Sequence, residues 1–182
     1  MLKTLVESFV KRAYKKVQRN SKSYNQTLDI TTTELERLLE MYRGYINEDQ
    51  TARLVRDSID HWIRRYHDYV IRGSMGSHYI AEGAVKGNTV FEHVIPANIV
   101  RDMLIQGKLT INQALNAPTC LISKEEDVVL RENGLGATSP SHWHFFDRYQ
   151  VLNKQFKTYN GQVITDLHNW TLEEHYKFFN IK

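Results

Sequence analysis

Apolar positions at the start of the chain recur with helical spacing. Leu2, Leu5, Val6, Phe9, Val10, Ala13 and Val17 share one side of a 3.6-residue period, so the pattern predicts a helix docked by one face. Residues 20–30 read as a polar connector. Thr31 and Glu34 then form an S/T-x-x-E capping box, followed by Leu35, Leu38, Leu39 and Tyr42 on a short amphipathic helix that Gly44 ends. A longer helix is predicted over residues 48–72, with Leu54, Val55, Ile59, Trp62, Ile63, Tyr66 and Val70 on one side. The run Gly73-Ser74-Met75-Gly76-Ser77 stops it.

From residue 89 the pattern changes. Thr89-Val90-Phe91-Glu92-His93-Val94-Ile95 is β-prone, enters through a Lys86-Gly87-Asn88 turn and ends at Pro96. Ile99, Val100, Met103 and Leu104 predict a helix closed near Gly107. Thr110 with Gln113 caps another, which Pro118 breaks. Thr119-Cys120-Leu121-Ile122 reads as a second strand, and Ser123 with Glu126 opens a helix to about residue 132. An aromatic helix is predicted over 143–149. A hairpin with a type I′ turn at Asn160-Gly161 and a short capped helix over 171–179 complete the chain. The expected fold class is α+β, mostly helical, with an N-terminal helical lobe.

Composition narrows the class. The 182 residues are 41% hydrophobic and 25% charged, enough apolar and aromatic material to close a core, which excludes an intrinsically disordered chain. No apolar run approaches the roughly 18 residues of a membrane span. The single cysteine, Cys120, excludes a disulfide framework or a zinc site of several thiolates within the chain. The first residues are charged too early for a signal peptide. A soluble, cytoplasmic protein with no membrane partner is expected.

The net charge of +3 is unevenly spread. Residues 1–24 hold seven Lys or Arg against one acid, a local +6 that leaves −3 for the remainder. Lys11, Arg12, Lys15, Lys16 and Arg19 are the candidate contacts to a nucleic-acid backbone. Taken alone, such a run more often marks a solvated helix face.

The chemistry-bearing stretch is Glu92-His93-Val94-Ile95-Pro96 together with Cys120-Leu121-Ile122-Ser123-Lys124-Glu125-Glu126-Asp127. Neighbouring residues on a regular strand face opposite sides, but twist at a strand end before proline can turn both toward one site. A hard divalent cation takes oxygen ligands, and a neutral histidine beside it can accept a proton from water. The bland alternatives are an exposed Glu-His pair and helix-start acids that favour the macrodipole.

These two segments resemble the HNH, or His-Me finger (ββα-metal), nucleases, most of all the HNH domain of RNA-guided CRISPR nucleases and related phage and bacterial endonucleases. The resemblance covers about residues 85–140. It implies a ββα-metal core and hydrolysis of phosphodiester bonds in double-stranded DNA. His93 would be the general base. Glu92 and Asp127 would be ligands to Mg²⁺ (or Mn²⁺), with Glu126 and then Glu125 as alternatives to Asp127. Asn98 would steady the histidine. Departures are an acid where the family carries Asn or His, a long inter-strand loop and no bracing cysteine pairs. On this reading residues 1–76 form the helical lobe, 77–140 the finger, and 141–182 a C-terminal part packed on it. A homodimer would suit cutting of both strands.

Ser141-His142-Trp143-His144-Phe145-Phe146-Asp147-Arg148-Tyr149 is the second patch. His142 and His144 could contact phosphate, Trp143 could stack on a base, and Arg148 could bind the scissile phosphate. The alternative is an aromatic packing helix. His61 and His67, six apart, read as structural or surface residues. Arg64 and Arg65 read as an extension of a basic surface or as a solvated face. No Gly-rich phosphate loop and no G-x-S-x-G elbow is present.

Overall fold

The computed structural model describes residues 22–182. Lys11, Arg12, Lys15, Lys16 and Arg19 lie outside the described residues.

Helix α1 (Lys22–Tyr45) begins nine residues before the Thr31 box. The apolar stripe extends backwards through Leu28 and Tyr24, both packed on the core, so the helix does not start at Thr31. Thr31 is buried in mid-helix, and its hydroxyl donates to the Thr27 carbonyl at 2.7 Å. Residues 22–30 of the expected polar connector are therefore helical. Helix α2 (Asp49–Tyr66) packs against α1 and buries Ala52, Val55, Ile59, Ile63 and Tyr66. Leu54, expected on this face, is 64% exposed, one helical step beyond its edge.

The chain continues from α2 into a π-helical turn, His67–Ile71, and a last turn α3 (Arg72–Met75). Gly76, at φ +83°, ends it. A wide turn of this kind adds a residue to the helix and shifts the bearing of the turns beyond it.

Five strands form one mixed sheet in the order β2-β3-β1-β4-β5. They are β1 (Tyr79–Ala81), β2 (Thr89–His93), β3 (Thr119–Ser123), β4 (Phe156–Thr158) and β5 (Val163–Ile164). β1 and β3 run parallel; every other neighbouring pair is antiparallel. The sequence pattern does not predict the three-residue β1, yet this strand is central in the sheet. β2 is an edge strand. Its register sets Glu92 opposite Cys120 and His93 opposite Thr119.

Between β2 and β3 lie α4 (Ala97–Ile105) and α5 (Ile111–Leu115). β3 runs straight into α6 (Lys124–Glu132). The predicted boxes hold at both later helices. Thr110 and Gln113 cap α5 reciprocally, and Ser123 and Glu126 do so for α6. The aromatic segment is a 3-10 helix, Phe145–Leu152, and α7 (Leu172–Phe178) is capped by Thr171. The β4–β5 turn is not type I′. Gly161 has φ +94°, but Asn160 is not left-handed, and the Thr158 amide closes the loop by donating to the Gln162 carbonyl.

The fold is thus α+β, with helices gathered around a mixed sheet. One hydrophobic cluster runs from Leu35 in α1 through Ile59, Ile95, Ile122 and Phe145 to Phe179. Among the described residues no helix is long and apolar enough to cross a membrane.

Candidate functional site

β2 pairs antiparallel with β3, and β3 leads straight into helix α6. At the end of β2, strand alternation parts Glu92 from His93. Glu92 shares a face with its cross-strand partner Cys120. His93 takes the opposite face with Phe91, whose ring it meets edge-on at 5.7 Å. Twist does not bring the two side chains onto one face. They reach a common cleft because β2 is the sheet edge and the space beside it is open to both.

That cleft measures about 600 Å³. Arg64, Asp68 and Arg72, from α2 and the turns after it, line one wall; Glu92, His93 and Asn98 line the other. Arg64 is bound to Asp60 at 2.6 Å, and the Arg72 guanidinium lies over the Phe91 ring at 5.5 Å. The loop at Gly136 and Ala137 closes one end.

Arg148 organises the strand end from beneath. It is 1% exposed, and its five N–H groups have five acceptors. Nε donates to the Leu135 carbonyl, and Nη1 to the carbonyls of His93 and Val94. Nη2 donates to the Gly136 carbonyl and sits 2.9 Å from Glu92 Oε2. No N–H is left for a phosphate. The expectation that Arg148 binds the scissile group is therefore corrected: it is a buried anchor that fixes the end of β2 and the 135–136 loop together.

Burial pushes the Glu92 carboxyl above the usual carboxylate range; Arg148 opposes the shift and the nearby charge of Asp127 adds to it. Asp127, in the first turn of α6, is not among the residues that line the cleft. Asp127 is paired with Arg131 at 2.8 Å. Glu126 is committed elsewhere. It accepts from the Ser123 amide at 2.7 Å and lies 3.8 Å from Lys154 Nζ. Glu125 is exposed and accepts from Asn88 at 2.8 Å.

His93 is a neutral imidazole at physiological pH. Burial, then the charges of Arg64 and Arg148, lowers its pKa to about 4. Its ring stacks on His67 at 5.0 Å, and its Nε2 is buried without a hydrogen-bond partner among the described residues. His67 donates through Nε2 to the Ala114 carbonyl at 3.2 Å, so its Nδ1 carries a lone pair that is likewise buried and unpartnered. Asn98 is exposed on the first turn of α4, and no hydrogen bond joins it to His93 among the described residues.

Sequence reasoning reads His67 as structural or surface, and the structure buries it, but its contact with His93 is not legible from spacing. Its spacing from His61 suggests no shared site; its neighbour in space is His93. The buried His78 and His175 escaped it as well. Among the other aromatic-patch residues, Phe145, Phe146 and Tyr149 are core, as the packing alternative requires, while His142 and Trp143 are exposed.

Among the described residues no group of three or more His, Cys, Asp or Glu is placed to hold a metal ion. A site for Mg²⁺ needs less, because this ion keeps several waters and is held by one or two carboxylates. Glu92 and Asp127 have that chemistry: two mutually repelling carboxylates, one of them buried. Two arginines now supply the positive charge. No family model, curated protein or solved structure matches the chain.

Proposed function

We propose that this chain is an HNH-type nuclease that hydrolyses phosphodiester bonds of double-stranded DNA in the cleft beside β2. The observation that carries the reading is the placement of a neutral imidazole, His93, on one wall of that cleft with two arginines, Arg64 and Arg72, on the other. A phosphodiester drawn in by the arginines lies beside a base that is unprotonated at physiological pH. Glu92 and Asp127 would hold the divalent ion, which when bound would polarise the phosphate and offset charge on the leaving oxygen. Arg148 keeps the end of β2 rigid, so His93 and Glu92 hold their positions as the substrate enters.

The test is cleavage of supercoiled plasmid with Mg²⁺ or Mn²⁺. Wild-type protein is expected to cut, EDTA to stop it, and His93→Ala to lower the rate by about 10²–10⁴-fold. Cutting that survives the substitution or the chelator overturns the reading.

One observation favours a second reading. Both candidate ligands are already satisfied by arginines, Glu92 by Arg148 and Asp127 by Arg131. A non-catalytic nucleic-acid-binding or regulatory protein would keep these pairs and bind through the basic N-terminal segment together with the cleft arginines. It would bind duplex DNA equally well in EDTA and leave it uncut.

A further inference from the structure

The cleft holds a stack of side chains that hydrolysis alone does not use. Alternation along β2 puts Thr89, Phe91 and His93 on one face of the strand, and all three line the cleft. The Phe91 ring meets the His93 ring edge-on at 5.7 Å, and the Arg72 guanidinium lies over Phe91 at 5.5 Å. The Arg72 side chain is 55% exposed, and its ion pair with Asp68 is long at 3.9 Å. With Phe91 beneath it and more than half its surface in solvent, the guanidinium presents its other face to the cleft.

A guanidinium plane is a stacking surface for a nucleobase, as an aromatic ring is. The face stacks while the N–H edge stays free for phosphate, so one side chain can serve a base and its backbone together.

The shape of the cleft selects the state of the nucleic acid. The space of about 600 Å³ is walled on both sides and closed at one end by the loop at Gly136 and Ala137. That is the scale of a small-molecule pocket. A base-paired duplex, whose major groove alone is roughly 12 Å wide, does not enter it. His93 is only partly exposed within this space. A phosphate on an intact duplex therefore stops at the rim, whereas a nucleotide turned out of its stack passes inside.

We propose that the cleft receives an unpaired nucleotide, its base stacked on the Arg72–Phe91 pair and its phosphate carried toward His93. The favoured substrate is then duplex DNA that carries an unpaired base. This rests on the nuclease reading of the cleft and narrows its substrate class. An unpaired base enters directly, while a paired one must first be unstacked at a cost in free energy.

Anisotropy titrations of the full chain in EDTA test this on two duplexes with the same number of phosphates. One carries an adenine paired with thymine, the other the same adenine opposite an abasic site. Wild-type protein is expected to bind the second about tenfold tighter. Arg72→Lys keeps the charge and loses the plane. It should leave affinity for the paired duplex within about twofold and abolish the preference. Phe91→Leu removes the ring under the guanidinium and should shrink the preference in the same direction. Equal wild-type affinity for the two duplexes, or a preference that survives Arg72→Lys, overturns this inference alone. Failure to bind either duplex overturns the nuclease reading with it, so the two failures are told apart.

Discussion

Arg148 reaches Glu92 at 2.9 Å from a position with 1% exposure. The pair is buried inside a ring of four backbone carbonyls that the same guanidinium satisfies. Removing one member of such a pair leaves the other charge uncompensated in a poorly solvated place.

Arg148→Met is therefore expected to lower stability by about 3–5 kcal/mol, read as a fall in the urea midpoint. Arg148→Lys should recover only part of it. A single ammonium with three donors cannot replace five N–H groups in a planar fork. A Lys variant as stable as wild type would show that the fork geometry is irrelevant.

Acid should loosen the core through its histidines. His175 is fully enclosed. Tyr79 Oη donates to its Nδ1 at 2.7 Å, and its Nε2 donates to the Asn116 carbonyl at 2.8 Å. A second proton would displace the Tyr79 bond. Burial lowers the pKa of His175, and that of His67, to about 3. Both are neutral when folded and protonate near pH 6.5 when unfolded. Their contribution is complete above about pH 6.5 and is lost progressively as pH falls toward 3. Urea midpoints at pH 7.5, 6 and 4.5 should decline in that order, and His175→Gln should flatten the trend. A midpoint insensitive to pH across this range would contradict the assignment.

The first turn of α6 depends on a reciprocal cap. Ser123 Oγ accepts from the Glu126 amide at 3.2 Å, and the Glu126 carboxylate accepts from the Ser123 amide in return. Ser123→Ala should cost about 1 kcal/mol. Because Asp127 lies in that turn, cleavage should fall by more than the lost stability alone produces at temperatures where the fold is intact. Equal activity per folded molecule would mean Asp127 plays no part.

Arg64 and Arg72 should behave as backbone contacts to DNA. Each change to Ala is expected to weaken duplex binding without regard to sequence. Each should also reduce the slope of log K against log salt by about one unit. Binding by fluorescence anisotropy at several salt concentrations measures both. An unaltered slope would remove these two residues from the interface.

The same short motif is informative at two places and misleading at a third. Thr110-x-x-Gln113 and Ser123-x-x-Glu126 come after segments that cannot be helical, so their amides need caps. Thr31-x-x-Glu34 lies within a longer apolar stripe, where the amides already have helical partners. Glu92, His93 and the acids of α6 stand out in the sequence as residue types at suggestive spacing. Their partners do not, because Arg148 lies 56 positions from Glu92 in the chain, and His67 comes near His93 only through tertiary packing. β1 escapes notice because three residues show no clear alternation, although a parallel neighbour on one side and an antiparallel one on the other hold them.

The supernumerary residue in the helix at His67–Ile71 has a geometric consequence. In an α-helix each step of four residues advances the side chain about 40° around the axis, so positions 64, 68 and 72 would drift steadily to one side. The looser coil turns less per residue and counters that drift, which keeps Arg64, Asp68 and Arg72 along a single cleft wall. Tightening this coil to ordinary α pitch with its residue count unchanged would swing Arg72 about 80° out of line with Arg64. The basic lining of the cleft is in this sense a matter of helical phase, set by chain length as much as by the choice of side chains.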